Sequence, residues 1–159
     1  MPTGKRPTGQ GSEPSGRGHW LLLADPRSWN WLKDGRDWAF PVQTPRLGEI
    51  RKGDLAVVYV MKRSSLVAIL EFEGQPRPAE RAVPMDEREL NQVFPTRVRI
   101  RYLSVPRLGV KFEGLARSMS FVRHKEHWGV YFQGKPIRRL TQSDFLLISR
   151  AIVAASKQD

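Results

Sequence analysis

Two apolar runs of strand length, separated by a short polar turn, constrain the fold more than any other feature of the sequence. Residues 55–61 lack a strict alternation of polar and apolar side chains, which predicts a strand covered on both faces. Residues 62–65 predict a turn, and residues 66–72 predict the returning strand of a hairpin. An aromatic segment with a proline, residues 38–42, and a basic turn, residues 51–54, precede the hairpin. This combination is typical of a small β-barrel with an aromatic wall at its mouth.

A strand followed by a capped helix is predicted before the aromatic segment. Residues 19–24 form an apolar run that ends at Asp25. Asp25 and Pro26 are typical of a helix N-cap and a first helical position, so a short helix is expected over residues 28–33. Gly35 is expected to end it. Pro41 is expected to keep the strand over residues 38–42 at an edge or near its end.

Residues 96–102 alternate strictly, which predicts a half-buried strand. One face carries Val98, Ile100 and Tyr102. The other face carries a ladder of guanidinium groups from Arg97, Arg99 and Arg101. We expect the apolar face to join the core and the ladder to remain open to solvent.

The remaining elements follow from weaker signals. Residues 85–93 predict one or two helical turns, and Phe121 and Val122 predict a further short strand. Residues 141–144 resemble a capping box with Asp144 in place of glutamate. Phe145, Ile148 and Ile152 then share one helix face, and this C-terminal helix is expected to close the barrel. The fold class expected is α+β, with one domain over residues 19–156.

Charge favours a polyanionic partner. The chain of 159 residues has 27 Lys and Arg against 16 Asp and Glu, a net charge of +11. Nucleic acid is the commonest polyanion, so the charge favours nucleic-acid binding over a merely solvated basic surface. Residues 1–18 are rich in proline, glycine and serine and lack the apolar stretch of a signal peptide, which predicts a disordered basic tail.

The same composition excludes several classes of protein. Cysteine is absent, which excludes disulfides and thiolate metal sites. No apolar run approaches the roughly 20 residues of a membrane helix, so we expect no membrane partner and a cytoplasmic protein. His124 and His127 are three residues apart in a polar loop and are expected to be solvated, so neither a metal site nor a cofactor is predicted.

Motifs of catalysis are missing. The sequence contains neither a phosphate-binding P-loop nor the G-x-S-x-G nucleophile elbow. Asp54 and Glu71 are candidates for general acid or base chemistry. In the alternative interpretation, Asp54 completes a turn and Glu71 lies on a strand surface. We therefore expect a binding protein rather than an enzyme.

The aromatic and basic residues form the candidate interface. Trp29, Trp38 and Trp128 could stack on a base, although burial in the core is the usual role of tryptophan in a small domain. Trp20 is assigned to the core. Cations that could hold phosphates fall into sets at turns, on one strand and in a late loop: Arg51, Lys52, Lys62, Arg63, Arg97, Arg99, Arg101, Arg123 and Lys125.

Ordered blocks of residues now carry a family resemblance. The first blocks are Trp20, Trp29, and Trp38 with Pro41. The middle blocks are Gly53-Asp54, which precedes Tyr59, and Pro95, which precedes Arg97-Val98. The last blocks are Phe121-Val122, Trp128, Phe132-Gly134, and Asp144 ahead of Ile148. In this order the chain resembles an EVE domain of the PUA-like group of small β-barrels, closest to its short stand-alone prokaryotic branch. The resemblance covers residues 19–153.

The resemblance implies a PUA-like mixed barrel flanked by short helices and related to YTH domains, which hold a methylated base in an aromatic cage. It implies recognition of a modified base in DNA or RNA. Trp38 would form one wall, with the backbone of Ala39 and Phe40, beside Pro41, reading the base edge. Further lining residues would be Asp25, Ser28, Trp29, Tyr59, Phe121 and Trp128. The longer bacterial form has W-D-G-V-R-N where this chain has Trp38-Ala39-Phe40-Pro41-Val42-Gln43.

Two other classes of function remain open from the sequence. One is a small hydrolase of modified nucleosides similar to the related ASCH type, in which Lys62 with Glu71 would act as nucleophile activator and general base. The other is a protein-interaction module that uses the barrel mouth. Binding that is insensitive to salt would indicate the interaction module, because phosphate contacts depend steeply on salt.

Overall fold

A curled mixed sheet forms the body of the molecule. The computed structural model describes residues 16–79, 94–122 and 136–159. Eight strands lie in these residues: β1 (His19–Ala24), β2 (Asp37–Phe40), β3 (Leu55–Val60), β4 (Ser65–Phe72), β5 (Arg77–Pro78), β6 (Thr96–Ser104), β7 (Val110–Lys111) and β8 (Ile137–Arg139). Two α-helices accompany them, α1 (Pro26–Leu32) and α2 (Gln142–Ser156).

The strands run in the order β2-β6-β4-β3-β1-β8, with β5 paired to β6 and β7 paired to β4. The hairpin predicted from the apolar runs is confirmed, since β3 and β4 pair antiparallel from Leu55 opposite Glu71 to Val60 opposite Ser65. β1 lies parallel to β3, with His19 opposite Leu55 and Ala24 opposite Val60. The ends of β1 and β3 therefore coincide, and the segments that follow both strands meet at one end of the barrel.

Each face of the central strands supports its own core. The inner core contains Trp20, Leu22, Trp38, Phe40 and Phe72 among its buried side chains. The outer core joins the opposite face of β1, β3 and β4 to α2 and to the short 3-10 turns after β7. Two cores explain why the run 55–61 shows no alternation, because side chains on both faces of β3 are buried.

Local capping signals place both helices. The Asp25 carboxylate accepts from the backbone N–H of Ser28 at 2.8 Å, and Pro26 opens α1 as predicted. Thr141 caps α2 by accepting from the N–H of Asp144 at 3.1 Å. The Asp144 carboxylate does not complete the box. It accepts instead from the N–H of Ser120 at 3.0 Å and from the Ser120 hydroxyl at 2.5 Å.

Four expectations about secondary structure and order need correction or lie outside the described residues. Helix α2 covers the outer face of the sheet rather than closing the barrel, because Phe145, Ile148 and Ile152 belong to the outer core. Phe121 lies in a turn and Val122 has no regular structure, so neither residue is part of a strand. The helical turns predicted over 85–93 and most of the predicted tail, residues 1–15, lie outside the described residues.

In the parts of the chain that the structure describes, no helix has the length and apolarity needed to cross a membrane.

Candidate nucleic-acid interface

A pocket of about 500 Å³ lies at the end of the barrel where β1 and β3 finish. Its wall combines the end of β1, helix α1, the end of β2 with the loop after it, and Met61 after β3. The lining residues are Leu23, Ala24, Asp25, Ser28, Leu32, Trp38, Ala39, Pro41, Val42, Gln43, Pro45, Met61, Phe94 and Pro136. A pocket of this size and largely apolar lining is typical of a small-ligand site.

Trp38 supplies the aromatic wall and is itself held in place by a second layer. Its side chain is only 1% exposed, and its ring centroid lies 6.5 Å from that of Trp29. Trp29 meets Tyr102 edge to face at 5.9 Å, and the Tyr102 hydroxyl donates to the carbonyl of Leu32 at 2.9 Å. Burial raises the pKa of Tyr102 well above its ordinary value, and the Asp34 carboxylate adds to that rise. The wall is therefore rigidly supported.

The backbone of Ala39 presents an unpaired edge at this wall. Ala39 lies opposite Arg97 in the pairing of β2 with β6. The N–H of Ile100 donates to the carbonyl of Arg36 at 2.8 Å, which makes Arg36 and Ile100 a hydrogen-bonded pair. Hydrogen-bonded and non-hydrogen-bonded pairs alternate along antiparallel strands, so Trp38 and Phe40 exchange hydrogen bonds with β6 and Ala39 does not. On the far edge of β6, the Arg99 carbonyl accepts from Glu73 at 2.8 Å, which agrees with this alternation. In the described sheet, β2 has no strand on its other side, so the Ala39 N–H and carbonyl face an open edge.

Asp25 and Ser28 form the polar corner of the pocket. Besides capping α1, the Asp25 carboxylate accepts from the Ser28 hydroxyl at 3.3 Å. This arrangement leaves the hydroxyl oxygen of Ser28 and the remaining lone pairs of Asp25 as acceptors. The corner can therefore accept hydrogen bonds from the N–H groups of a bound ligand.

The structure brings together five of the ten residues predicted for the base pocket: Asp25, Ser28, Trp38, Ala39 and Pro41. Trp29 supports Trp38 from behind. Phe40 points into the inner core, and its backbone pairs with β6, so it is not part of the wall. Trp128 lies outside the described residues.

Two of the predicted lining residues lie on the other side of the sheet. Tyr59 belongs to the outer core, where its ring meets Phe112 edge to face at 5.9 Å. Burial raises the pKa of Tyr59, and a hydrogen bond with Ser64 opposes the rise. Phe121 packs against the same core, with its centroid 6.4 Å from that of Phe112. Neither Tyr59 nor Phe121 is among the residues that line this pocket.

Several lining residues had no local signal in the sequence. The most polar of them is Gln43, which is exposed and adopts a φ of 61°. A positive φ is uncommon for a residue other than glycine, and such residues cluster at functional sites. Leu23, Leu32, Met61, Phe94 and Pro136 come from five different parts of the chain, and only the fold places them at one pocket.

The guanidinium ladder on β6 is engaged within the protein rather than open. Arg99 pairs with Asp37 at 3.4 Å. Arg101 pairs with Glu71 at 2.5 Å and with Glu73 at 3.5 Å. Arg97 is only 8% exposed, and its guanidinium carbon lies 5.0 Å from the centroid of Trp31. The prediction that all three arginines offer free charge to phosphates is not met by this arrangement.

The other predicted cations divide between the two ends of the barrel. Lys62 and Arg63 follow Met61 and lie at the pocket end. Arg51 and Lys52 precede β3, so the six residues of that strand, or about 20 Å, separate them from the pocket. Arg123 and Lys125 lie outside the described residues.

The candidate catalytic carboxylates have structural partners. Asp54 is 4% exposed and accepts from Gly18 N, Trp20 Nε1 and Arg51 N at 2.8, 3.0 and 3.0 Å. Glu71 lies opposite Leu55, at the far end of the hairpin from Lys62, so the pair required by the hydrolase hypothesis does not meet. In residues 16–79, 94–122 and 136–159, no three potential metal ligands cluster.

Comparisons with known proteins agree on the fold. No family model matches the chain. A UPF0310 protein of Pyrococcus horikoshii is 23% identical over 145 residues, which cover 85% of this chain and 99% of that protein. The Mmi1 YTH domain in complex with RNA is similar with a TM-score of 0.63 and 10% identity, covering 89% of this chain and 81% of that one. Human THYN1 in complex with DNA containing 5-methylcytosine is similar with a TM-score of 0.55 and 13% identity, covering 84% and 97%. The chain therefore has the PUA-like fold of these proteins.

Proposed function

We propose that this protein is a non-catalytic EVE-type domain that binds nucleic acid and holds a modified base in the pocket beside Trp38. The observation that carries the proposal is the open edge of β2 at Ala39, next to a rigid indole wall. Because Trp38 is 1% exposed, the pocket would have to open for the flat face of a nucleobase to stack on the indole, and the edge of the base would then meet the Ala39 backbone. The structural likeness to an RNA-bound YTH domain and to THYN1 bound to methylated DNA supports the proposal.

The chemistry of the pocket suits an extruded or single-stranded base. Stacking on an aromatic side chain contributes about 1–3 kcal/mol per base and does not depend on sequence. Hydrogen bonds to the Ala39 backbone and to the corner of Asp25 and Ser28 would select the base edge. Extruding a base from a duplex costs a few kcal/mol, so single strands are the easier targets.

The modification would be recognised mainly through burial of its apolar atoms. A fully buried methyl group contributes about 0.8 kcal/mol, which corresponds to a preference of about fourfold. The apolar lining from Leu32, Pro41, Val42 and Met61 can provide that burial. A preference larger than fourfold would require the shape of the pocket to reject competing bases as well.

Binding of matched oligonucleotides tests the proposal. The panel contains DNA and RNA, as single strands and duplexes, unmodified or carrying 5-methylcytosine, 5-hydroxymethylcytosine or N6-methyladenine. Because the Ala39 N–H faces away from β6, Ala39→Pro removes that donor without breaking a sheet hydrogen bond. Ala39→Gly keeps the donor and serves as the matched control. Trp38→Phe keeps a ring but reduces the stacking area.

We expect wild type and Ala39→Gly to prefer one modified oligonucleotide, and Ala39→Pro and Trp38→Phe to lose that preference while keeping most of their affinity. Thermal unfolding of each variant verifies that the fold is intact. Equal binding of all oligonucleotides by the wild type would contradict the proposal and leave a general nucleic-acid binder. Weak binding that does not change with salt would instead favour a protein partner.

A further inference from the structure

A group of cations stands beside the pocket on the turn between β3 and β4. Lys62 and Arg63 are exposed and follow directly after Met61, a lining residue. Lys111 joins them because β7 pairs with the start of β4, where Lys111 lies opposite Ser65. Consecutive Cα atoms are about 3.8 Å apart, so the Cα atoms of Lys62 and Arg63 lie within about 8 Å of that of Met61. We call Lys62, Arg63 and Lys111 the turn cluster.

The backbone beneath the turn cluster is fixed by several hydrogen bonds. Lys111 Nζ and Ser65 Oγ both donate to the carbonyl of Arg63, at 2.8 and 3.0 Å. The N–H of Phe112 donates to the carbonyl of Ser64 at 2.9 Å. Lys62 and Ser64 have φ values of 70° and 52°, a conformation that persists in such residues only where the surroundings enforce it. The cations therefore start from a rigid base.

The turn cluster also differs from the arginine ladder in its charge balance. Within the described part of the chain, no carboxylate forms an ion pair with Lys62, Arg63 or Lys111. The ladder arginines Arg99 and Arg101, by contrast, form ion pairs with Asp37, Glu71 and Glu73, and Asp37 is shared with Arg77, which it meets at 2.9 Å. A phosphate approaching the ladder must compete with these carboxylates, whereas one approaching the turn cluster meets uncompensated positive charge.

We infer that the turn cluster binds the backbone phosphate next to the nucleotide whose base enters the pocket. The inference rests on the proposed function, because it takes the position of the base as given. Several cations on one face are sufficient to hold a phosphodiester and fix the register of the strand. The ligand class is a nucleic-acid backbone rather than a free nucleotide. In this arrangement, neither the arginine ladder on β6 nor Arg51 and Lys52 at the opposite end of the barrel contacts that phosphate.

Two double variants with the same change in net charge test the inference. Lys62→Gln with Arg63→Gln removes two cations of the turn cluster, and Arg99→Gln with Arg101→Gln removes two of the ladder. All four side chains are exposed, and circular dichroism verifies that both variants fold. The dissociation constant for an unmodified single-stranded oligonucleotide is measured at several salt concentrations.

We expect the slope of the logarithm of affinity against the logarithm of salt to fall by about 1.4 for the turn variant, since each contact on a single strand contributes about 0.7. The ladder variant should keep the wild-type slope. A third variant, Lys111→Gln, should reduce the slope by about half as much as the double turn variant. Equal reductions in both double variants, or a larger one in the ladder variant, would overturn the inference.

The design separates failure of this inference from failure of the proposed function. A reduced salt slope in the turn variant, with no preference for modified bases in the wild type, would sustain the phosphate contact at the turn cluster and contradict recognition of a modification. If the turn variant loses affinity for a nucleoside monophosphate as strongly as for the oligonucleotide, the cluster serves a free phosphate and the backbone assignment is wrong. If the wild type binds no nucleic acid, both proposals fail.

Discussion

The indole nitrogen of Trp20 donates a hydrogen bond to the carboxylate of Asp54 at 3.0 Å, and this contact joins the starts of β1 and β3. The same carboxylate accepts from the backbone of Gly18 and of Arg51. One buried side chain thus fixes the parallel pair at the end opposite the pocket. The parallel register in turn determines where Ala24 and Met61 finish, and so it sets the pocket wall.

Asp54→Ala should reduce the free energy of unfolding by about 3–4 kcal/mol, because two buried donors and the partly buried N–H of Arg51 lose their acceptor. Asp54→Asn, which keeps one acceptor oxygen, should cost less, about 1–2 kcal/mol. Urea unfolding at neutral pH measures both. Glu71→Gln is the matched control, because its ion pair with the exposed Arg101 should contribute less than about 1 kcal/mol. A larger loss of unfolding free energy in Glu71→Gln than in Asp54→Ala would show that the end of the barrel opposite the pocket depends on the ion pair between Glu71 and Arg101 instead.

Trp29→Ala should reduce the free energy of unfolding by about 3–5 kcal/mol, because this buried ring lies between Trp38 and Tyr102. Trp29→Phe should cost less and should leave the preference for a modified base in place, since Trp38 remains. Chemical denaturation and the oligonucleotide panel measure the two effects. If Trp29→Phe abolishes the preference at unchanged stability, Trp29 contacts the base directly and the supporting role assigned to it is incorrect.

Asp144→Ala should reduce the free energy of unfolding by about 2 kcal/mol, because its buried carboxylate connects α2 to the turn at Ser120. Ser143→Ala, at an exposed neighbouring position in the same turn, should change it by less than about 0.5 kcal/mol. Thermal unfolding compares the two variants. A similar loss of stability in both variants would mean that the first turn of α2 stabilises the fold only through its N-cap and not through the contact between Asp144 and Ser120.

Features with local physical causes could be predicted from the sequence. The hairpin follows from two apolar runs and a polar turn, and the start of α1 follows from Asp25 and Pro26, because these signals act between residues close in sequence. Trp38 was also predicted as a wall residue, and it lines the pocket.

Features that depend on register between strands could not be predicted. The carboxylates that neutralise Arg99 and Arg101 come from Asp37 on β2 and from Glu71 and Glu73 at the end of β4, so only the register brings them together. The open edge at Ala39 depends on which residues of β2 pair with β6. Tyr59 was misplaced because β3 is buried on both faces, and a run without alternation does not indicate which face a residue occupies.

Stability should decrease in mild acid because of His19, whose ring lies 4.7 Å from that of Phe145 on α2. Burial lowers the pKa of His19 from its ordinary value of 6.5, and the Arg139 and Arg17 cations add to this while the Asp54 carboxylate opposes it. Below about pH 6.5 the unfolded chain therefore binds more protons at this histidine than the folded chain does. The contribution of His19 to the free energy of unfolding is constant above that range and falls as the pH falls below it. Urea midpoints at pH 5.5 and 7.5 should differ more for the wild type than for His19→Phe, which keeps the ring contact without the titration. Identical differences in the two proteins would assign the acid sensitivity to other groups.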